Sequence, residues 1–176
     1  MEAKKIIITG GATRIGSAIA KSLAGYDVDI VIHFNKSRKS ALQLKMELEE
    51  IGTKVFLIKA DLSNINQTKK IVPFAYKKMK GLDCLINNAS LFEKDDLENF
   101  SDKSFSKHLD VNLKAPAFLI KDFKKYVAGC FDFQSGDLFF GVGRSSYRSG
   151  HAKPYVFAGN LGFSKWWALA QNTDRH

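Results

Sequence analysis

The stretch Ile8-Thr9-Gly10-Gly11-Ala12-Thr13-Arg14-Ile15-Gly16 constrains this chain more than any other. It follows a short apolar run, residues 4–9, of the kind buried as a strand. It opens a run, 15–24, in which Ile15, Ala18, Ile19 and Leu23 recur at helical spacing. A glycine turn between strand and helix lets the backbone approach a ligand closely. The helix N-terminus behind it offers free N–H groups and a dipole that favours an anion. Glycines also simply end strands, so a plain strand exit stays open on this stretch alone.

The pattern around the turn repeats. Strand-like runs at 4–9, 29–34, 54–59 and 84–87 alternate with helix-like runs at 15–24, 39–51 and 66–80. Such alternation predicts an α/β fold with a parallel sheet and covering helices. In the second helix Leu42, Leu44, Met46 and Leu48 keep helical spacing only in part. Gly25 and Gly52 stand where C-terminal glycines belong. Pro73 predicts a kink or an early end in the third helix. Further helix is expected over 104–111 and 112–127, with Pro116 near the first turn of the second piece.

Composition narrows the function classes. The 176 residues suit one domain with a sizeable core. No stretch approaches the ~20 apolar residues of a membrane span. The N-terminus shows no secretory signal, so the expected location is cytoplasmic. Two cysteines, Cys84 and Cys130, make no disulfide framework. The histidines, His33, His108, His151 and His176, are scattered, and no metal site is expected. The net charge of +9 is spread over amphipathic segments rather than gathered with aromatics on one face, so nucleic acid is not an expected partner.

Four later segments join the glycine turn in order: His33-Phe34-Asn35-Lys36-Ser37, Ala60-Asp61-Leu62, Asn87-Asn88-Ala89-Ser90 and Val111-Asn112. Over roughly residues 4 to 127 the chain resembles the short-chain dehydrogenase/reductase family. Arg14, the His33–Ser37 segment and Asn-Asn-Ala-Ser look most like its pteridine reductase-like branch. The resemblance implies a Rossmann-like, doubly wound parallel sheet that binds a nicotinamide dinucleotide. Gly10, Arg14, Ile15 and Gly16 would form the phosphate turn, with Gly16 letting the helix pack close to the strand. A carboxylate at the end of the second strand would bind the ribose hydroxyls and repel a 2′-phosphate. Here that position offers His33, Asn35, Lys36, Ser37 and Arg38, so NADPH or NADP is the expected cofactor. Asp61 would lie near the adenine amino group with Leu62 presenting backbone groups; locally it is equally a turn or cap aspartate. Asn88, Ala89 and Ser90 would contact the ribose, and the asparagines would tie neighbouring strands. Asn112 would anchor a proton-relay water. The implied reaction is hydride transfer to a small-molecule carbonyl or pteridine-like C=N bond. Members of the family are often homo-oligomeric; for this chain that assembly is left open.

Beyond residue 127 the composition changes. Residues 1–127 hold all 13 isoleucines, all 6 glutamates and 20 of the 22 lysines, while 7 of the 13 glycines fall in the last 49 residues. A change of reading frame predicts such a shift; so does a Gly- and aromatic-rich extension. The chain therefore divides into a dinucleotide-binding domain, 1–127, and an atypical tail, 128–176, expected to carry no clear strand or long helix. The family's chemistry needs a tyrosine as general acid, with a lysine four residues on that lowers its pKa. Downstream of Asn112 that spacing is missing: Tyr126 is followed by Cys130, Tyr147 by His151 and Tyr155 by Gly159. Tyr155 is nearest in position, but Lys153 precedes it. The expectation is a sheet incomplete on its C-terminal side, with the cofactor half kept and catalysis impaired. Asn112 and Tyr155 are the remaining catalytic candidates. The alternatives are a non-catalytic NADP(H)-binding protein or a frameshifted product.

Overall fold

The computed structural model describes residues 3–93 and 101–127, together with the backbone of two strands at 142–145 and 153–158. The rest of the 128–176 tail lies outside the described residues. Four parallel strands form the body of the sheet: β1 (Lys4–Ile8), β2 (Val28–Phe34), β3 (Lys54–Lys59) and β4 (Cys84–Asn87). β1 is central. It pairs with β2 through Ile8↔Ile32 and with β4 through Ile8↔Ile86. Parallel neighbours need crossover connections. These are α1 (Arg14–Leu23), α2 (Arg38–Glu50) and, between β3 and β4, α3 (Ile65–Thr68) with α4 (Ile71–Met79).

Both faces of the sheet are covered, as a doubly wound fold requires. Ile6, Ile8, Ile30 and Ile32 pack with Ile19 and Ala20 of α1 and with Ala41, Leu44 and Leu48 of α2. Ile7 and Val31 face the other way, onto Ile71, Val72, Ala75 and Met79 of α4. There they also meet Ala115, Leu119 and Phe123 of a later helix, α6 (Ala115–Phe123). The broken leucine spacing in α2 is thereby explained: Ala41, Leu44 and Leu48 form the buried stripe, and Leu42 and Met46 face water.

Several boundaries differ from the sequence expectation. The 66–80 helix breaks at Lys69–Lys70 rather than at Pro73, and Pro73 sits in the first turn of α4, where its missing N–H costs nothing. The Asn64 side chain starts α3 by accepting from Asn66 N at 3.0 Å and Gln67 N at 3.3 Å. Gly52 takes the left-handed conformation expected of it (φ +89°), whereas α1 closes through right-handed Ala24, and Gly25 is not left-handed. Lys80, with φ +56°, closes α4 in a role usually left to glycine. After β4, α5 (Asp102–Leu109) passes through one π-type turn, Asp110–Lys114, directly into α6.

The tail carries strand after all. β5 (Val142–Ser145) runs antiparallel to β4 at Leu85↔Val142, and β6 (Lys153–Ala158) runs parallel to β4 at Ile86↔Phe157. The order is β3-β2-β1-β4-β5-β6, so the sheet is mixed rather than wholly parallel. Antiparallel β5 and β6 can be joined without the crossover helix a parallel pair demands.

The burial pattern of α2 makes a direct prediction. Leu48 is 1% exposed and Met46 61%. Leu48→Ala should destabilise the protein by about 2–5 kcal/mol in urea unfolding, and Met46→Ala by less than ~0.5 kcal/mol.

Candidate functional site

The strand order reverses at β1: β2 and β3 lie to one side and β4 to the other. In open α/β sheets the crevice at the carboxyl ends of such strands is where ligands bind. A cavity of about 700 Å³ lies there. It brings together all thirteen residues expected to face a cofactor. Gly10, Arg14, Ile15 and Gly16 come from the first turn, and His33, Asn35, Lys36 and Ser37 from the exit of β2. Asp61 and Leu62 follow β3, and Asn88, Ala89 and Ser90 follow β4.

The first turn is tight because two residues lack a β-carbon. Gly10 adopts φ +61°. A Cβ on Gly16 would stand 2.3 Å from Gly10 O and 2.6 Å from Asn88 Nδ2. α1 therefore begins against the backbone of β1. Arg14, at φ +50°, is a non-glycine residue in the left-handed region, a strain that concentrates at binding sites. Ile15 is 62% exposed on the cavity wall.

Side chains lock the neighbouring strand ends to this turn. Thr9 Oγ1 accepts from Asn88 N and Ala89 N, both at 3.0 Å, and donates to Ile86 O at 3.3 Å. Asn88 Nδ2 donates to Thr9 O at 2.9 Å and to Gly10 O at 3.1 Å. Asn88 is thus the asparagine that ties strands; the buried Asn87 amide finds no partner among the described residues. His33 is 2% exposed. Its Nδ1 accepts from Gly10 N at 3.2 Å and its Nε2 lies 3.0 Å from Ala60 O. Both ring nitrogens serve the backbone, so His33 supports the turn, and Asn35, Lys36 and Ser37 remain to meet an anion.

Asp61 fulfils its local turn role. Its Oδ1 accepts from Ser63 Oγ at 2.8 Å and Ser63 N at 2.9 Å. These bonds hold its carboxyl below the usual range, with Lys107 and Lys36 adding to the effect against a smaller opposing cost of burial. Asn112 sits in the π-type turn rather than on the cavity wall. Leu91 N donates to its Oδ1 at 2.8 Å, and its Nδ2 donates to Leu91 O at 2.9 Å. Tyr155 lies on β6, and its side chain is outside the described residues.

Three features escaped sequence reasoning. Glu93 and Lys107 also line the cavity, joined by a 2.5 Å ion pair, and Glu93 N donates to His108 Nε2 at 3.2 Å. No local motif marks them, since they meet only when the loop after β4 folds along α5. Thr9 belongs to the turn motif in the sequence, but nothing there shows that its hydroxyl ties the ends of β1 and β4. A Tyr-x-x-x-Lys spacing does occur, upstream of the expected window, as Tyr76 to Lys80. It lies at the end of α4 that leads into the start of β4, the opposite end of the sheet from the cavity, and Tyr76 packs on Tyr126 with ring centroids 4.7 Å apart. Among the described residues no group of three His, Cys, Asp or Glu could hold a metal ion.

The sequence model for short chain dehydrogenases matches residues 4–137. A short-chain dehydrogenase/reductase from Cladobotryum sp is 30% identical over 118 residues, 67% of this chain and 46% of that protein. Among solved structures, a short chain dehydrogenase from Burkholderia cenocepacia in complex with NADP aligns with a TM-score of 0.70 at 28% identity, covering 73% of this chain and 52% of that one. FolM alternative dihydrofolate reductase 1 from Brucella canis, complexed with NADP, aligns with a TM-score of 0.65 at 30% identity, covering 70% and 50%. The chain spans about half the length of the relatives it matches.

The Thr9 hydroxyl offers a test of how the site is held. Thr9→Val keeps the shape and removes the bonds to Asn88, Ala89 and Ile86, and should cost about 1–3 kcal/mol in thermal unfolding. Thr9→Ser should cost less than half as much, because it keeps the hydroxyl.

Proposed function

Because the chain belongs to the short chain dehydrogenase family, we propose that its cavity binds NADPH or NADP as the cofactor half of a family-type oxidoreductase. The observation that carries this reading is the exit of β2, where Asn35, Lys36 and Ser37 face the cavity and no carboxylate joins them. Lys36 and Ser37 would meet a 2′-phosphate, one by charge and one by hydrogen bond. The N-terminus of α1 and Arg14 would hold the pyrophosphate, with Gly16 letting α1 start close against Gly10 and Asn88. Exposed Ile15 gives the cofactor an apolar surface to cover. Asp61 and Leu62 would border the adenine, and Asn88 to Ser90 the ribose.

When bound, the cofactor supplies hydride. The substrate class we propose is a small carbonyl or a pteridine-like C=N compound. The His33–Ser37 and Asn-Asn-Ala-Ser segments support it, as does the likeness to FolM alternative dihydrofolate reductase. Asn112 would shape the proton path by fixing the Leu91 backbone beside the cavity. Cofactor binding without family-type turnover is the second reading. It is favoured by the missing Tyr-x-x-x-Lys downstream of Asn112 and by the remote place of Tyr76 and Lys80. No helix among the described residues is long and apolar enough to cross a membrane; a cytoplasmic setting, where NADPH is available, fits the proposal.

The test is fluorescence titration of the purified protein with NADPH and NADH. NADPH should bind at least about tenfold more tightly, a difference of ~1.4 kcal/mol. Lys36→Glu should erase that preference, and Gly16→Ala should abolish binding of both. Equal affinities in the wild type would sink the reading. Oxidation of NADPH by the same sample with carbonyl or pterin substrates would favour the oxidoreductase over the binding-only form.

A further inference from the structure

Resting on the cofactor reading above, we infer that His33 is a positioning residue: its neutral imidazole sets the phosphate turn, and a second ring proton releases that turn and weakens dinucleotide binding. The ring bridges two loops that would grip opposite parts of the cofactor. Ala60 O can only accept, so Nε2 carries the ring proton; Gly10 N–H can only donate, so Nδ1 carries the lone pair. The tautomer is fixed by its partners. The same residue also accepts from Gly11 N through its backbone oxygen, at 3.1 Å. Two successive amides of the turn therefore rest on His33, and one of them belongs to the left-handed glycine whose oxygen lies under Gly16.

Protonation would aim an N–H⁺ at the Gly10 N–H across 3.2 Å. The surroundings already resist it. Burial lowers the ring's pKa from its ordinary 6.5, outweighing the bond to Ala60 and the charge of Asp61, which both raise it. Asp61 is the charged group that acts on the ring. The strand beside it presents Ile58, and the turn after β1 presents Gly10. Of the other charged groups lining the cavity, Lys107 is paired with Glu93, and Arg14 and Lys36 disfavour a further cation there. Because the folded pKa is lowered, the contribution of the neutral ring is complete above the unfolded value near 6.5. It is lost as pH falls below that value and through the folded one.

Two variants separate the two arms of the bridge. Asparagine places an acceptor where Nδ1 stands and cannot gain a proton. Glutamine reaches Ala60 with a donor but leaves Gly10 N–H unmet. NADPH affinity is measured from about pH 8 to about pH 5.5 for wild type, His33→Asn and His33→Gln, with thermal unfolding of each. The wild-type dissociation constant should rise by about two- to tenfold across this range, since the lowered pKa leaves the ring only partly protonated at its acid end. Titration of the cofactor's own phosphate affects all three proteins alike, so the comparison isolates the ring. His33→Asn should show less than half of that rise, and His33→Gln should bind weakly even at the upper pH. A wild-type pH profile in His33→Asn, or wild-type affinity in His33→Gln, overturns the inference. Should wild type bind no NADPH, the cofactor reading fails. The positioning role is then decided on the free protein by nitrogen NMR of the imidazole and hydrogen exchange of the Gly10 amide. An Nε2–H tautomer, with Gly10 exchange accelerating beyond its intrinsic pH dependence as the ring titrates, supports it. An Nδ1–H tautomer, or exchange that ignores the ring, overturns it.

Discussion

The close approach of α1 to β1 is the constraint on which the site depends. With no side chain at Gly16, the first turn of α1 lies against Gly10 O and the Asn88 amide, a space any Cβ would fill. That contact draws three strand ends into one crevice. Gly10 then meets the imidazole from β2, and Asn88 reaches back across Thr9 to the turn. The helix N-terminus faces the opening as a consequence, with its unpaired donors and its positive dipole end toward any anion. The shape of the cavity and the placing of the helix N-terminus are thus two results of one backbone contact.

What the sequence made legible follows from how local each signal is. Parallel strands buried on both faces show as uninterrupted runs such as Lys4-Lys5-Ile6-Ile7-Ile8, and their limits fell within a residue. The thirteen cavity residues were legible because each sits next to a strand end in its own short motif. Long-range pairs were not. The bond from Glu93 to His108 and the ion pair from Glu93 to Lys107 span a loop and a helix. His33 was legible as a cavity residue but not as a bridge, since nothing local says that its ring will be enclosed between Gly10 and Ala60.

The chain beyond residue 127 follows a different logic. Its composition gives no helical or alternating pattern, yet β4 has an open edge once β1 is satisfied on its other side. Open edges collect strands. β5 takes Leu85 and β6 takes Ile86 and Asn87, so this edge is divided between two neighbours of opposite direction. The sheet is extended there by available hydrogen bonds rather than by the βαβ rule that governs its first four strands.

The π-type turn at Asp110–Lys114 carries a consequence for how such a chain can change over generations. A π-type turn holds one residue more than the helix around it needs. That surplus lets Asn112 reach Leu91 while Leu119 and Phe123 of α6 still point into the core. Substitutions along α5, which buries no residue, leave this phase untouched. Loss of a single codon between Leu109 and Ala115 would rotate one partner set by about a quarter turn against the other, since each helical residue advances ~100°. Outside Lys107, His108 and Asn112, which make the bonds described above, the segment should vary in composition while holding its length.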